Sequence, residues 1–254
     1  MRATSLLIVM LALASLLGIA SASYNVTSIN VNMYLNQNTS AHINETIQVA
    51  ITNQSIKQYQ TDRIALNLTV SQWQQLIGPQ LEEHIINPKG SIYNFVLLPG
   101  PVVQSGAAYR ADVVLSYDVN NVTVVNQTSP RVFVYTLRPN VFNFQHGASG
   151  EVLSPNTTLN VTIPNGAKIQ SVYPIPDYPP YGLTNNYANV SSVSWFFGEP
   201  LSRFTLVFVV NQSIRQEVGA FFSKVYQTLG IYSYLLIAAI IAIFILYVYY
   251  RASK

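Results

Sequence analysis

The chain contains no cysteine among its 254 residues. That absence excludes disulfide staples, cysteine-ligated zinc and thiolate catalysis. Charge is scarce too: Asp, Glu, Lys and Arg make up 9% of the sequence, against about 25% in ordinary soluble proteins. Removing Arg2, Arg251 and Lys254 at the two ends from the 13 basic residues leaves 10, which balance the 10 acidic ones. The body is therefore neutral and has no basic stripe with which to hold nucleic acid. His42, His84 and His146 are the only histidines, far apart and without metal-ligand spacing. Glu82-Glu83-His84 has neither the order nor the gap of a zinc-protease helix. His146-Gly147-Ala148-Ser149-Gly150 is one residue short of a nucleophile elbow. Asp62, Asp112, Asp118 and Glu151 are scattered and read as solvated surface. No catalytic residue, metal ligand or cofactor site is assigned, and the expectation is a non-enzymatic protein without hydrolase chemistry at the His146 loop.

What is plentiful is the pattern Asn-x-Ser/Thr. It occurs eleven times, at Asn25, Asn38, Asn44, Asn53, Asn67, Asn121, Asn126, Asn156, Asn160, Asn189 and Asn211. That is roughly threefold more than random placement gives, none has proline in the middle, and each is an acceptor for N-glycosylation outside the cytosol. All lie between two apolar ends. Residues 1–22 have a secretory layout: Arg2, then Leu6 to Ile19, then the small-residue site Ala20-Ser21-Ala22. Ile231 to Tyr250 runs twenty residues without a charge. As a helix it spans about 30 Å, a bilayer core. Tyrosines flank it, Tyr232 and Tyr234 before and Tyr247, Tyr249 and Tyr250 after, and Arg251 and Lys254 follow. The positive-inside rule then puts residues 251–254 in the cytoplasm and every sequon outside. The expected setting is a single-pass cell-membrane protein in contact with the lipid bilayer. A dense sequon coat without cysteine points to an archaeal cell surface. Few carboxylates also suit an acidic exterior, because carboxylates that must ionise are what acid attacks.

Between the ends, alternation dominates over helical period. Ile29, Val31, Met33 and Leu35 alternate with polar residues, as do Ile43, Ile47, Val49 and Ile51. Further strands are read at 64–70, 92–98, 109–117, 131–137, 158–163, 169–173, 193–197 and 204–210. Gly, Pro and Asn turns separate them. The expected fold is mainly β, one or two antiparallel β-sandwich domains with a short helix inserted. The first would span 23–145, with a helical insertion near 71–86 capped by Ser71. A second domain, or the second half of the same sandwich, would span 146–212, beyond a loosened stretch at 144–155.

Residues 213–230 switch period. Ile214, Val218, Phe221, Phe222, Val225 and Leu229 share one helical face, and Ser213 with Gln216 has the form of a capping box. This juxtamembrane helix is a candidate partner-binding element or upright stalk; the alternative is a helix packed against its own domain or lying on the membrane surface. A second candidate partner-binding element is Tyr173-Pro174-Ile175-Pro176-Asp177-Tyr178-Pro179-Pro180-Tyr181, where proline predicts an extended backbone and Tyr178 and Tyr181 offer amphipathic contact area. The alternative for that stretch is a loop covering a sheet edge.

The run from Gly106-Ala107-Ala108-Tyr109 into ADVVLSYDV, then RVFVYTL (131–137) and LNVTIPNGA (159–167), resembles the luminal part of ribophorin I. The segment SWFFGEPLSRFTLVFVVNQS (194–213) continues the likeness, which covers about residues 90–213. The resemblance implies luminal β-sheet domains and a non-catalytic accessory role in the oligosaccharyltransferase. It carries over no catalytic residue, and this chain lacks the family's cytoplasmic extension. The leading expectation is a glycosylated, membrane-anchored β protein that binds or supports a membrane or cell-surface complex. A surface-layer or adhesion component is the alternative of that class; a solute-binding receptor or enzyme with an inter-domain cleft is the alternative of another.

Overall fold

The structure is a computed structural model that describes residues 24–65, 69–87, 90–147, 150–180, 187, 189–196, 198–201, 203–230 and 232–252. The signal sequence expected at 1–22 lies outside the described residues.

The alternating segments are strands, except the one expected at 64–70, where Ile64 ends one helix and Val70 begins another; the chain is mainly β. The first half supplies β1 (Asn25–Leu35), β2 (Ala41–Ile51), β3 (Ile92–Pro99), β4 (Val103–Ser105), β5 (Ala108–Val119), β6 (Thr123–Ser129) and β7 (Val132–Leu137). The second half supplies β8 (Gln145–Gly147), β9 (Gly150–Val152), β10 (Thr157–Thr162), β11 (Ala167–Tyr173), β12 (Ser192–Trp195) and β13 (Thr205–Asn211). A seven-stranded sheet has the order β12-β10-β1-β2-β5-β3, with β4 also paired to β5. A second sheet has the order β11-β13-β7-β6, and β8 and β9 form a separate hairpin.

The large sheet explains the alternation. Along β2 and β5 the register runs from Ala41↔Val119 to Ile51↔Tyr109. Ile43, Ile47, Val49, Val113, Leu115 and Tyr117 are buried on one side, because residues two apart share a face. The opposite face is polar. Ser194, Asn160, Asn32, Asn44 and Ser116 lie on successive strands in one row across it. Asn160 donates to the side chains of Asn30 (2.8 Å) and Asn32 (3.0 Å).

The large sheet joins the two expected spans, and the helical insertion differs from its expected extent. β10, from beyond the loosened stretch at 144–155, pairs with β1 in parallel, so both halves of the chain share one sheet. By its contacts the chain divides elsewhere: one unit is Met1–Asn126 with Val134–Val209, the other Gln127–Phe133 with Val210–Lys254. The helical insertion is also shorter, and it is preceded by an unexpected helix. Helix α1 (Ile56–Ile64) buries only Tyr59, so it carries no apolar stripe to reveal it. Helix α2 (Val70–Ile77) starts at Thr69, not Ser71. The Thr69 hydroxyl accepts from the Gln72 amide (3.3 Å), and Gln72 Oε1 accepts from the Thr69 amide (2.8 Å). This reciprocal cap satisfies two donors that the first turn leaves open. The helix stops at Gly78, whose φ of +112° suits glycine alone. Leu81 and Ile85, expected on the same helix, are instead buried from irregular chain, with Ile85 bridged to Phe142. Tyr59 packs edge-on against Tyr24 and Trp73, at 5.2 and 5.8 Å, closing one end of the core.

Candidate functional site

The second unit contains two helices. Helix α3 (Ile214–Leu229) covers the segment whose period predicted it, and helix α4 (Tyr232–Ala252) follows. α4 is long and apolar enough to cross a membrane over Tyr232–Arg251. At 1.5 Å per residue α3 is about 24 Å long. Gly230 separates the two helices at φ +56°, and Ser233 Oγ donates to the Gly230 carbonyl (2.7 Å) to start α4. Tyr226 and Tyr234 meet edge-on across this joint at 5.8 Å. At the other end of α3, Arg131 pairs with Glu217 at 3.1 Å, and the Gln212 amide donates to the Arg131 carbonyl (2.8 Å). The Gln216 side chain of the expected capping box lies outside the described residues.

The apolar stripe of α3 is open. Phe221 is 63% exposed and Phe222 46%; Ile214, Val218 and Leu229 are exposed as well, and Val225 is half-buried. Phe221 and Phe222 contact each other at 5.6 Å. A helix stripe of this kind normally faces a core; this one is exposed.

The Tyr-Pro stretch takes the covering role. The Asp177 and Tyr178 amides donate to the Ser194 carbonyl (2.9 and 3.2 Å), and the Ser194 amide donates to the Tyr178 carbonyl (2.8 Å). Trp195 Nε1 donates to the Pro174 carbonyl (3.1 Å). The loop thus pairs with the outer edge of β12, protecting an edge strand. The extended proline backbone is a correction in detail: Tyr173-Pro174 and Tyr178-Pro179 are cis. The Tyr178 ring is exposed, and Tyr181 lies outside the described residues.

Asn25, Asn38, Asn53, Asn121, Asn126, Asn156, Asn189 and Asn211 are exposed; Asn44 and Asn160 are half-buried on the polar sheet face. Asn67 lies outside the described residues. Three sequons run straight into helices: Ser55 precedes α1, Thr69 caps α2, and Ser213 precedes α3. Hydroxyl residues are favoured there for helix starts, a structural reason for part of the sequon excess.

Sequence reasoning passed over one cluster. Glu45 is fully buried. Its Oε2 lies 2.6 Å from His84 Nδ1, and its Oε1 accepts from the His84 amide (2.9 Å) and from the Tyr117 hydroxyl. Tyr117 in turn accepts from the Ile85 amide at 3.1 Å. The signal was in the parity: Glu45 shares the face of Ile43 and Ile47. Burial pushes the Tyr117 hydroxyl far above its ordinary value, and the Glu45 carboxylate adds to this. For His84, burial disfavours the charged ring, but the Glu45 hydrogen bond and charge, with Glu82 and Glu83, outweigh it and raise the pKa. The cluster ties the 78–86 segment to the sheet.

This sets a pH dependence. Burial also raises Glu82, Glu151 and Glu199. Raised groups bind protons more tightly folded than unfolded, so stability grows as pH falls. The His84 contribution is full below about 6.5, its unfolded value, and is lost as pH rises through the raised folded value. Asp118 acts oppositely. Burial would raise it, but hydrogen bonds from Asn94 and His42 hold it lower, so its contribution fades as pH falls below the ordinary Asp range. The melting temperature is expected to rise from pH 8 to pH 5 and to turn down in stronger acid. Thermal melts across pH 4–8 check this; a midpoint that climbs steadily toward pH 8 contradicts it.

No known family model matches the chain, and no curated protein sequence matches it. Among solved structures it is similar to the folded domain of LppM from Mycobacterium tuberculosis, determined by NMR. The two share 10% identity over 75% of this chain and 91% of that one, with a TM-score of 0.24. A likeness that slight carries no argument about function.

Proposed function

We propose that the chain is a non-catalytic, N-glycosylated surface protein, anchored by α4 with its β body outside and its C-terminus in the cytoplasm, that binds or supports a membrane complex. The observation that carries this reading is the open aromatic stripe of α3, two residues ahead of a helix of membrane length. A stripe beside the bilayer has two natural occupants, lipid headgroups and the flank of a neighbouring membrane protein. Two adjacent phenylalanines favour the protein, since aromatic anchors dominate protein interfaces.

The sequons support the same division of surface. None falls between Asn67 and Asn121, the stretch that holds edge strand β3, whose Tyr93, Val96 and Leu98 are exposed. None follows Asn211. Those two stretches are thus left free of glycan acceptors. The ribophorin-like order of β5, β7 and β10 makes an oligosaccharyltransferase one complex of the right kind. Absence of cysteine with many sequons suits an archaeal surface, and proton-linked stability suits an acidic one.

Gentle detergent extraction followed by identification of co-purifying proteins tests the proposal. A multispanning partner at constant stoichiometry is the expected result. Recovery of the chain alone, or with self-assembled copies in a lattice, contradicts it, the latter in favour of a surface-layer role.

A further inference from the structure

The β8–β9 hairpin, where the near-miss hydrolase pattern falls, borders a cavity of about 210 Å³. Phe142 and Phe204 line it and meet edge-on at 4.7 Å. Phe204 is held from behind by Trp195 at 4.8 Å, so the apolar wall is fixed. Arg138, Asn140, His146 and Glu151 supply the polar lining. His146 and Glu151 are direct cross-strand partners, and the Leu201 amide donates to the Glu151 carbonyl (2.8 Å). The Arg138 backbone is held by its amide, which donates to the Val122 carbonyl at 2.8 Å. Among the described residues, the side chains of Arg138, His146 and Glu151 make no hydrogen bond or ion pair within 4 Å.

Polar groups with unused valence converging beside a rigid aromatic wall are the make-up of a ligand pocket. We propose that this cavity binds a single carboxylate-bearing sugar ring of the hexuronic acid class. The volume admits one ring. The apolar face of a pyranose packs on phenylalanine. The Arg138 guanidinium fork matches a carboxylate bidentately, while Asn140, His146 and Glu151 offer both donors and acceptors to ring hydroxyls. A bare anion would leave the aromatic wall unused, and a neutral hexose would leave the guanidinium unpaired. The site is non-catalytic here: the ligand is held.

Titration calorimetry on the full chain in detergent micelles, with glucuronate, glucose and acetate as probes, tests this. Saturable glucuronate binding is expected, with glucose and acetate each at least about tenfold weaker, a factor fitting loss of a charge-assisted pair or of the ring contact. Arg138→Met should weaken glucuronate about tenfold and leave glucose unchanged. His146→Gln, on the exposed rim, provides a second variant, expected to weaken glucuronate without lowering the melting temperature. Absence of saturable glucuronate binding overturns the proposal. So does acetate binding as tightly as glucuronate, or an Arg138→Met variant that binds glucuronate unchanged.

Discussion

Replacing Glu45 with Ala is expected to destabilise the body by about 3–5 kcal/mol, the cost of removing one partner from a buried charged pair. For a body of this size that is a fall of roughly 10 °C in melting temperature. The reason is local. Glu45 receives three donors, from His84 twice and from Tyr117, and its loss strands a buried imidazolium and two further groups. Tyr117→Phe removes one charged hydrogen bond and the acceptor of the Ile85 amide, and should cost less, about 1.5–3 kcal/mol. Replacing Glu45, His84 and Tyr117 together with Leu, Leu and Phe removes the charges but leaves the His84 and Ile85 amides without their acceptors. It should recover part of the loss, since apolar substitutes for a buried charged network are often neutral while each orphaned amide carries a cost. Thermal melts of the three variants in micelles decide the matter. Equal melting of wild type and Glu45→Ala would show that the network contributes nothing.

Phe221→Ala and Phe222→Ala are expected to weaken partner retention about a hundredfold each, from the roughly 3 kcal/mol that truncating a well-buried phenylalanine costs. In the chain alone both rings are exposed, so melting should not change. Lys224→Ala, off the stripe, should leave both unaffected. The paired readout is retention in mild detergent and melting temperature. Lowered melting would mean that the stripe packs on its own chain; unchanged retention would leave α3 a plain stalk.

How much of this was legible in the sequence depended on how local each cause is. β2 could be read because its pleat puts every second residue in the core, and the same parity marks Glu45 as buried once taken at face value. α3 declared itself through six apolar residues on one face. α1 did not, because IKQYQTDRI buries Tyr59 alone and has no period to detect. α2 was visible, but its start was misplaced: Thr69 with Gln72 forms the cap, and Ser71 is inside the helix. Gly78, with its left-handed backbone, ends that helix before Leu81 and Ile85, whose helical spacing is coincidental. The parallel β1–β10 pairing joins residues about 130 positions apart, and no local pattern announces it. The cavity was hidden for the same reason. Arg138, Glu151 and Phe204 come from separate segments and meet only in the fold.

The central claim is an anchored, glycosylated body outside the cell, and one measurement addresses it whole. Intact cells are treated with an external protease, and the released and retained peptides are analysed by mass spectrometry. Peptides from the β body should be released, with glycans on turn sequons such as Asn38, Asn121 and Asn156, while Asn44 and Asn160, held in the sheet face, stay bare. Peptides from α4 should remain with the membrane. A body protected from protease until the cells are broken, or released peptides whose Asn38, Asn121 and Asn156 are all unmodified in a host that glycosylates, would contradict the account.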